Sequence, residues 1–364
     1  MYKSSLKAIQ KSGRFRERRV YNPNLIDFAS NDYLGLASKY KLLDKAIKLI
    51  KNYNSYAPKS SMLVNGYHPI HKLFEDRLLE LQSFENSIVV GSGFLANISL
   101  IESLVRKNDI LFIDEEYHAS GILATKLIPN RVVYFKHNNP QDLEDKLKSY
   151  KYNRSLIAVE GVYSMSGNIC NRDIIDIANR YNSILIMDEA HSSGVIGKNL
   201  LGIFDYYNLP IRENYIKMGT LGKAYGSYGA YILASNEIIS FLENRAKPII
   251  YSTAPSILDI ALALINLDYI HQNRAKLSKK IKNRHKIIKD ILDIDIKSLI
   301  LPIPQNSNQD TIDTQKLLID RGYIVGAIRQ PTVQKPILRV IPQIGSSKKD
   351  LIEILKIISY NNSK

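Results

Sequence analysis

Apolar residues along this chain fall into two alternating rhythms. Short runs rich in β-branched residues, NSIVVG, DILFID, RVVYFK, SLIAVE, SILIMD, YIKMG and GAYILA, read as buried strands. Between them lie stretches with apolar residues at helical spacing, such as HKLFEDRLLELQSF, PQDLEDKLKSY and RDIIDIANRY. Near-continuous apolar strands alternating with helices predict an α/β fold with a mostly parallel, seven-stranded sheet covered on both faces. The pattern changes after about residue 255, where a long helical stretch, SILDIALALINLDYIHQNRAKLSKKIKNRHKIIKDIL, precedes short strands and a last helix, KKDLIEILKIISYN. This predicts a smaller C-terminal α+β domain. The opening residues read as a basic helix followed by an extended stretch, NLIDFASNDYLGLAS, with turn chemistry at Asn31-Asp32 and Gly35. The expected division is an N-terminal helix and arm over 1–40, a large α/β domain over 41–265 and the C-terminal domain over 266–364.

Composition narrows the setting. With 364 residues, 45% of them hydrophobic, the chain can bury a large core. No apolar run reaches the ~18 residues that a membrane span needs, and the N-terminus lacks the apolar centre of a signal peptide. The single cysteine, Cys170, excludes an internal disulfide framework and fits a reducing cytoplasm. Fifty Lys and Arg against 35 Asp and Glu give a formal charge of +15. The cations are scattered rather than massed in one block, so the charge points to a solvated surface and not to nucleic acid.

In an open parallel sheet, ligands bind beyond the carboxyl ends of the strands, where loops and helix N-termini converge. Five segments there carry reactive groups. GSGFLAN (91–97) runs from a strand through glycines into a helix, aiming free N–H groups at an anion. It also fits the dinucleotide pattern G-x-G-x-x-A, with Asp114 about 20 residues on, or a plain tight turn. ILIMDEAHSSG puts Asp188 at the end of a buried strand with His191 three residues later. A buried carboxylate is costly unless it meets a cation, and a pyridinium nitrogen is one such partner. DEAH also matches the helicase box, but no phosphate loop of the form G-x-x-x-x-G-K-[ST] occurs in the chain. GTLGKAYG surrounds Lys223 with small residues, so its amine can approach a bound ring and act as a Schiff-base nucleophile. EEYHASG offers His118, which can stack on an aromatic cofactor, and EGVYSMSG offers Glu160 and Ser164. The histidines have no metal-ligand spacing, so no metal site is expected, and the hydrolase motif G-x-S-x-G is absent.

Taken in order, DFASNDYLGLA, LVNGYHPIH, GSGFLAN, YHASG, EGVYSMSG, DEAHSSGVIG, GTLGKAYG, YSTA and AIRQPTV resemble the α-oxoamine synthase family of fold-type I pyridoxal-phosphate enzymes, over nearly the whole chain. The resemblance implies a fold-type I transferase that carries pyridoxal 5′-phosphate on Lys223. It implies that Gly93, Phe94 and Thr220 hold the phosphate, together with Thr253 from the other subunit of an obligate homodimer. His118 would stack on the ring, Asp188 would pair with its nitrogen, and His191 and Ser164 would lie by its hydroxyl. Arg329 would bind the amino-acid carboxylate, with Asn31 and Arg16 near the substrate entrance. Catalysis would fall to Lys223, His118, Asp188 and His191.

SNDYLGL, LVNGYHPIH and AIRQPTV resemble the branch that condenses L-alanine with a pimeloyl thioester, carried on coenzyme A or on acyl carrier protein, in biotin biosynthesis. The alternative within the family joins glycine to acetyl-CoA. Two departures lie near the acyl path: Ala57-Pro58-Lys59-Ser60 replaces the usual glycine-rich stretch, and QKPILRV is short and lacks its glycine.

Overall fold

In the computed structural model, which describes residues 1–128 and 131–362, eleven strands are found among the described residues. They are β1 (Ile26–Phe28), β2 (Asn86–Val90), β3 (Ile110–Asp114), β4 (Arg131–Phe135), β5 (Ser155–Glu160) and β6 (Ile184–Asp188). These are followed by β7 (Tyr215–Thr220), β8 (Ala230–Ala234), β9 (Leu301–Pro304), β10 (Tyr323–Ile328) and β11 (Ile337–Val340). All seven strand runs read from the sequence, from NSIVV to AYILA, are strands β2 to β8.

These seven form one sheet in the order β2-β8-β7-β6-β5-β3-β4. Only β8 runs against its two neighbours, and the other contacts are parallel. The carboxyl ends of β3, β5, β6 and β7 therefore share one edge. Every residue of β3, β5 and β8 is buried. This explains why they read as unbroken apolar runs: a strand covered on both faces has no solvent side to mark with polar residues.

The helices start where local chemistry predicts. Pro69 occupies the first turn of Pro69–Gln82, where its missing N–H costs nothing. Ser92 caps Gly93–Leu104 by accepting from the Leu95 N–H (3.3 Å), and Asn171 caps Arg172–Arg180 through Asp173 N. Caps of this kind contribute about 1 kcal/mol each.

The described chain divides into two compact units. One holds residues 34–164 and 168–278, the other 1–33, 165–167 and 279–364. The second unit has its own four-stranded sheet, β1-β10-β11-β9, over a core that includes Phe28, Leu301, Leu318, Tyr323, Leu338 and Leu351. β1 pairs in parallel with β10, Ile26 facing Tyr323. The arm expected over 1–40 is thus not a separate body: Phe28 buries in the C-terminal core with Ile26 partly buried against it, and Leu34 onward packs with the large unit. The long helix, Ile257–Leu292, belongs to both units, with the change at 278–279.

Candidate active site

The site in the large unit is built on the parallel register itself. Pairing of β5 with β6 sets Glu160 beside Asp188, and pairing of β6 with β7 sets Asp188 beside Met218, two residues before Thr220. Both carboxylates are buried. Asp188 is well supplied: Asn97 Nδ2 donates to its Oδ2 (2.9 Å) and the Ala190 N–H to its Oδ1 (2.9 Å). Glu160 accepts from the Ser164 N–H through Oε2 (3.1 Å), while its Oε1 has no hydrogen-bond partner among the described residues. Burial, then the neighbouring Asp188, pushes the Glu160 carboxyl well above the usual carboxylate range.

Next to this pair, Lys223 Nζ lies 2.7 Å from His191 Nε2. His191 stands on the loop after β6 and Lys223 on the loop after β7. The two loops close tightly at Gly194, whose φ is +84° and where a Cβ would come within 2.5 Å of the Ala224 Cβ. Only glycine meets both demands.

His118 caps the helix Ala119–Thr125, and its Nδ1 is 2.7 Å from Ser120 Oγ. Ser120 Oγ in turn accepts from Asn97 Nδ2 (2.9 Å), so one chain of contacts runs from His118 through Ser120 and Asn97 to Asp188. Tyr117 OH donates to Asn97 Oδ1 (2.7 Å) and completes the amide's partners. Burial pulls the His118 imidazole below its ordinary value, opposed by Asp188 and aided by Lys223. A neutral ring results, suited to stacking on an aromatic face.

The glycine loop after β2 leads into Gly93–Leu104, and a Cβ at Gly93 would lie 3.6 Å from the Thr220 Cβ. Gly93 and Thr220 are therefore adjacent, as a shared anion site at a helix N-terminus requires. Thr220 Oγ1 donates to the Gly229 carbonyl (3.1 Å) and accepts weakly from the Gly222 N–H (3.4 Å). Phe94, one residue on, is exposed. The residues in this unit suit pyridoxal phosphate: a buried carboxylate for a ring nitrogen, an amine within reach, a glycine-lined helix start for a phosphate and a neutral histidine for the ring face.

Thr253 lies after the short helix Lys247–Ile250 with its side chain exposed, and takes part in none of these contacts. In the other unit, Arg16 donates to Thr332 Oγ1 (3.2 Å) and Arg329 to the Gly13 carbonyl (2.8 Å), around a cavity of about 270 Å³ that Arg14 also lines. Asn31 accepts from Arg339 Nη1 (3.0 Å).

Sequence reading missed Asn97, Ser120 and Arg339. Asn97 had a signal: it occupies an inward helical position beside Ala96, Leu100 and Ile101, where an apolar residue is expected. Arg339 is buried in the middle of the apolar run ILRV, which is likewise costly without a purpose.

The family described as aminotransferase class I and II matches residues 23–358. Over 356 residues the chain is 44% identical to the 8-amino-7-oxononanoate synthase of Helicobacter pylori strain J99, covering 97% of this chain and 95% of that protein. The crystal structure of 8-amino-7-oxononanoate synthase from Francisella tularensis is 29% identical, with a TM-score of 0.78 over 94% of this chain and 99% of that one. A serine palmitoyltransferase from S. paucimobilis, solved with a bound pyridoxal-phosphate–myriocin adduct, superposes with a TM-score of 0.88 at 20% identity, over 99% of this chain and 96% of that one. At that identity the likeness speaks for the fold.

Proposed function

From the premise that the chain belongs to the class I and II aminotransferase family, and within it to the α-oxoamine synthases, we propose that it makes 8-amino-7-oxononanoate by joining L-alanine to a pimeloyl thioester with loss of carbon dioxide. The observation that carries this reading is the 44% identity over almost the entire chain to a synthase of that name, together with Lys223 and His191 in contact beside a buried, hydrogen-bonded Asp188.

Pyridoxal phosphate, when bound, supplies the electron sink for charge that develops at the amino acid's α-carbon. Asp188 would pair with the ring nitrogen, and Asn97 and the Ala190 N–H keep that carboxylate aimed. Lys223 would hold the cofactor covalently, and its Nζ would serve as the base that takes the amino acid's α-proton. His191 and Ser164 would lie by the ring hydroxyl, and His118 would lie against the ring face. Gly93, Phe94 and Thr220 bind the phosphate, and a homodimer supplies Thr253 from the second subunit. Arg329 receives the amino-acid carboxylate, while Asn31 and Arg16 guard the substrate entrance, Arg16 meeting the far carboxylate of the pimeloyl chain. The acyl group arrives on coenzyme A or on acyl carrier protein, and the working compartment is the cytoplasm.

The test is direct. The protein loaded with pyridoxal phosphate is given L-alanine with pimeloyl-CoA and, separately, glycine with acetyl-CoA, and products are read by mass. 8-Amino-7-oxononanoate from the first pair alone supports the proposal. Product from the second pair alone would replace it with the glycine-using branch and leave the cofactor site intact.

A further inference from the structure

Asp114 is one of the most heavily engaged groups in the large unit, and the reaction described above leaves it without a role. Its carboxylate, fully buried at the end of β3, has four partners. Oδ1 accepts from the Glu116 N–H (2.8 Å) and lies 3.1 Å from His137 Nδ1. Oδ2 accepts from the Asn138 N–H (2.7 Å) and from Tyr163 OH (2.7 Å). These partners come from three separate places: the turn after β3, the loop after β4 and the loop after β5.

Two of those places carry proposed cofactor contacts. The 114–118 turn, closed by Glu116 N–H on Asp114 and by Tyr117 N–H on the Asp114 carbonyl (3.0 Å), ends at His118. The loop after β5 carries Ser164 directly beyond Tyr163. That loop is pinned again by Asn138, whose Nδ2 donates to the Ile169 carbonyl (2.8 Å) and whose Oδ1 accepts from the Asn171 N–H (2.7 Å). The His137 ring packs edge-on against Tyr163, with centroids 4.3 Å apart.

We propose that Asp114 and His137 are positioning residues for the cofactor: as an ion pair they hold the His118 turn and the Ser164 loop at a fixed separation and so set the slot that the pyridine ring enters. The inference rests on the pyridoxal-phosphate reading of the site. Neither residue touches the reacting atoms; both act through Tyr163 and the 114–118 turn.

The pair also carries a pH dependence. His137 faces Asp114, Glu115, Glu116 and the Tyr163 ring, and its Nε2 lies 3.1 Å from the Asn168 side-chain amide, which can turn to suit either protonation state. Burial opposes the imidazolium, but Asp114 and then Glu116 and Glu115 outweigh it and push His137 above its ordinary value. The charged pair is therefore fully formed below the ordinary histidine pKa of about 6.5 and is lost as pH rises through the raised one.

Cofactor-free wild type, His137→Gln and Tyr163→Phe are titrated with pyridoxal phosphate at pH about 6, below the ordinary histidine value, and at about 8.5, well above it. Binding is read by the visible absorbance of the bound cofactor, and ring orientation by its visible circular dichroism. The melting temperature of each cofactor-free protein reports folding separately. The expected result is that both variants bind the cofactor on the order of tenfold more weakly than wild type near pH 6, with reduced dichroism, and that His137→Gln converges with wild type at the higher pH. With cofactor saturating, kcat falls in both while KM for the amino acid changes little. Affinity and dichroism of His137→Gln equal to wild type at both pH values would overturn the proposal alone. A wild type that acquires no visible band would overturn the cofactor reading and this proposal with it.

Discussion

Lys223 Nζ sits 2.7 Å from His191 Nε2, although 32 residues and a strand separate them in the chain. The contact exists because β6 and β7 are parallel neighbours, so the loops leaving their carboxyl ends emerge side by side. A lysine held by a histidine ring nitrogen keeps its amine pointed into the site. Lys223→Ala is expected to abolish both the visible absorbance of covalently held cofactor and all turnover; a variant that still forms product would refute the assignment of Lys223.

Asp188→Asn tests the electron sink. The neutral amide cannot keep a pyridine nitrogen protonated, and it turns an N–H₂ toward one of two donors, Asn97 Nδ2 or the Ala190 N–H. Cofactor binding through Lys223 and the phosphate contacts should persist. Exchange of the alanine α-proton for solvent deuterium should slow by on the order of 100-fold or more. Exchange at the wild-type rate would show that the carboxylate is not the ring-nitrogen partner.

Beneath the loop that carries His191 lies a buried ion pair. Lys217 and Glu189 are almost inaccessible, with Nζ 3.9 Å from Oε1. Lys217 also donates to the Leu201 carbonyl, and Glu189 accepts from Ser192 Oγ and from the Ile203 N–H (2.8 Å). Burial raises the Glu189 carboxyl pKa, and Lys217 is the leading group that opposes the rise. Lys217→Met should cost about 3–5 kcal/mol, since it strands a buried charge. Adding Glu189→Gln should recover much of that loss in denaturant titrations; a double variant no more stable than Lys217→Met would mean that the lost lysine acts by packing.

Glu75 predicts an opposite dependence on pH from most carboxylates. It is buried, accepts from Tyr67 OH and from the Val89 N–H (2.8 Å), and burial pushes its pKa up to about 7 despite those two donors. A group whose folded pKa is raised contributes stability that is present below its unfolded pKa and is lost as pH rises through the folded one. Stability attributable to Glu75 is therefore lost between pH about 4.5 and about 7. Glu75→Gln, which can still accept from Val89 and donate to Tyr67, should leave stability unchanged near pH 4.5 and raise it by up to about 3 kcal/mol at pH 8. Thermal melts at the two values decide it, and an equal effect at both would show that the carboxyl is not protonated on folding.

By itself the sequence determined the strands β2 to β8, the helix starts at Pro140 and Arg172, and the order of reactive segments that led to the family. Each of these is local: apolar periodicity, a proline or cap residue, or a motif of a few residues at fixed spacing. What it could not determine was anything that depends on which strands are neighbours. Asp114 shows this most clearly. Its distance along the chain from GSGFLAN fitted a dinucleotide pattern, yet its partners include His137 and Tyr163, brought to it because β3 lies between β4 and β5 although β4 precedes β5 in sequence. Asn97 likewise looked like one more position in a helix until folding placed it against Asp188, 91 residues away. Local pattern selects the elements because side-chain sterics and solvation act over a few residues. The network that aims Asp188, His118 and Ser164 arises only when the sheet order closes, since hydrogen bonds of under 3 Å between distant segments have no signature in residue spacing.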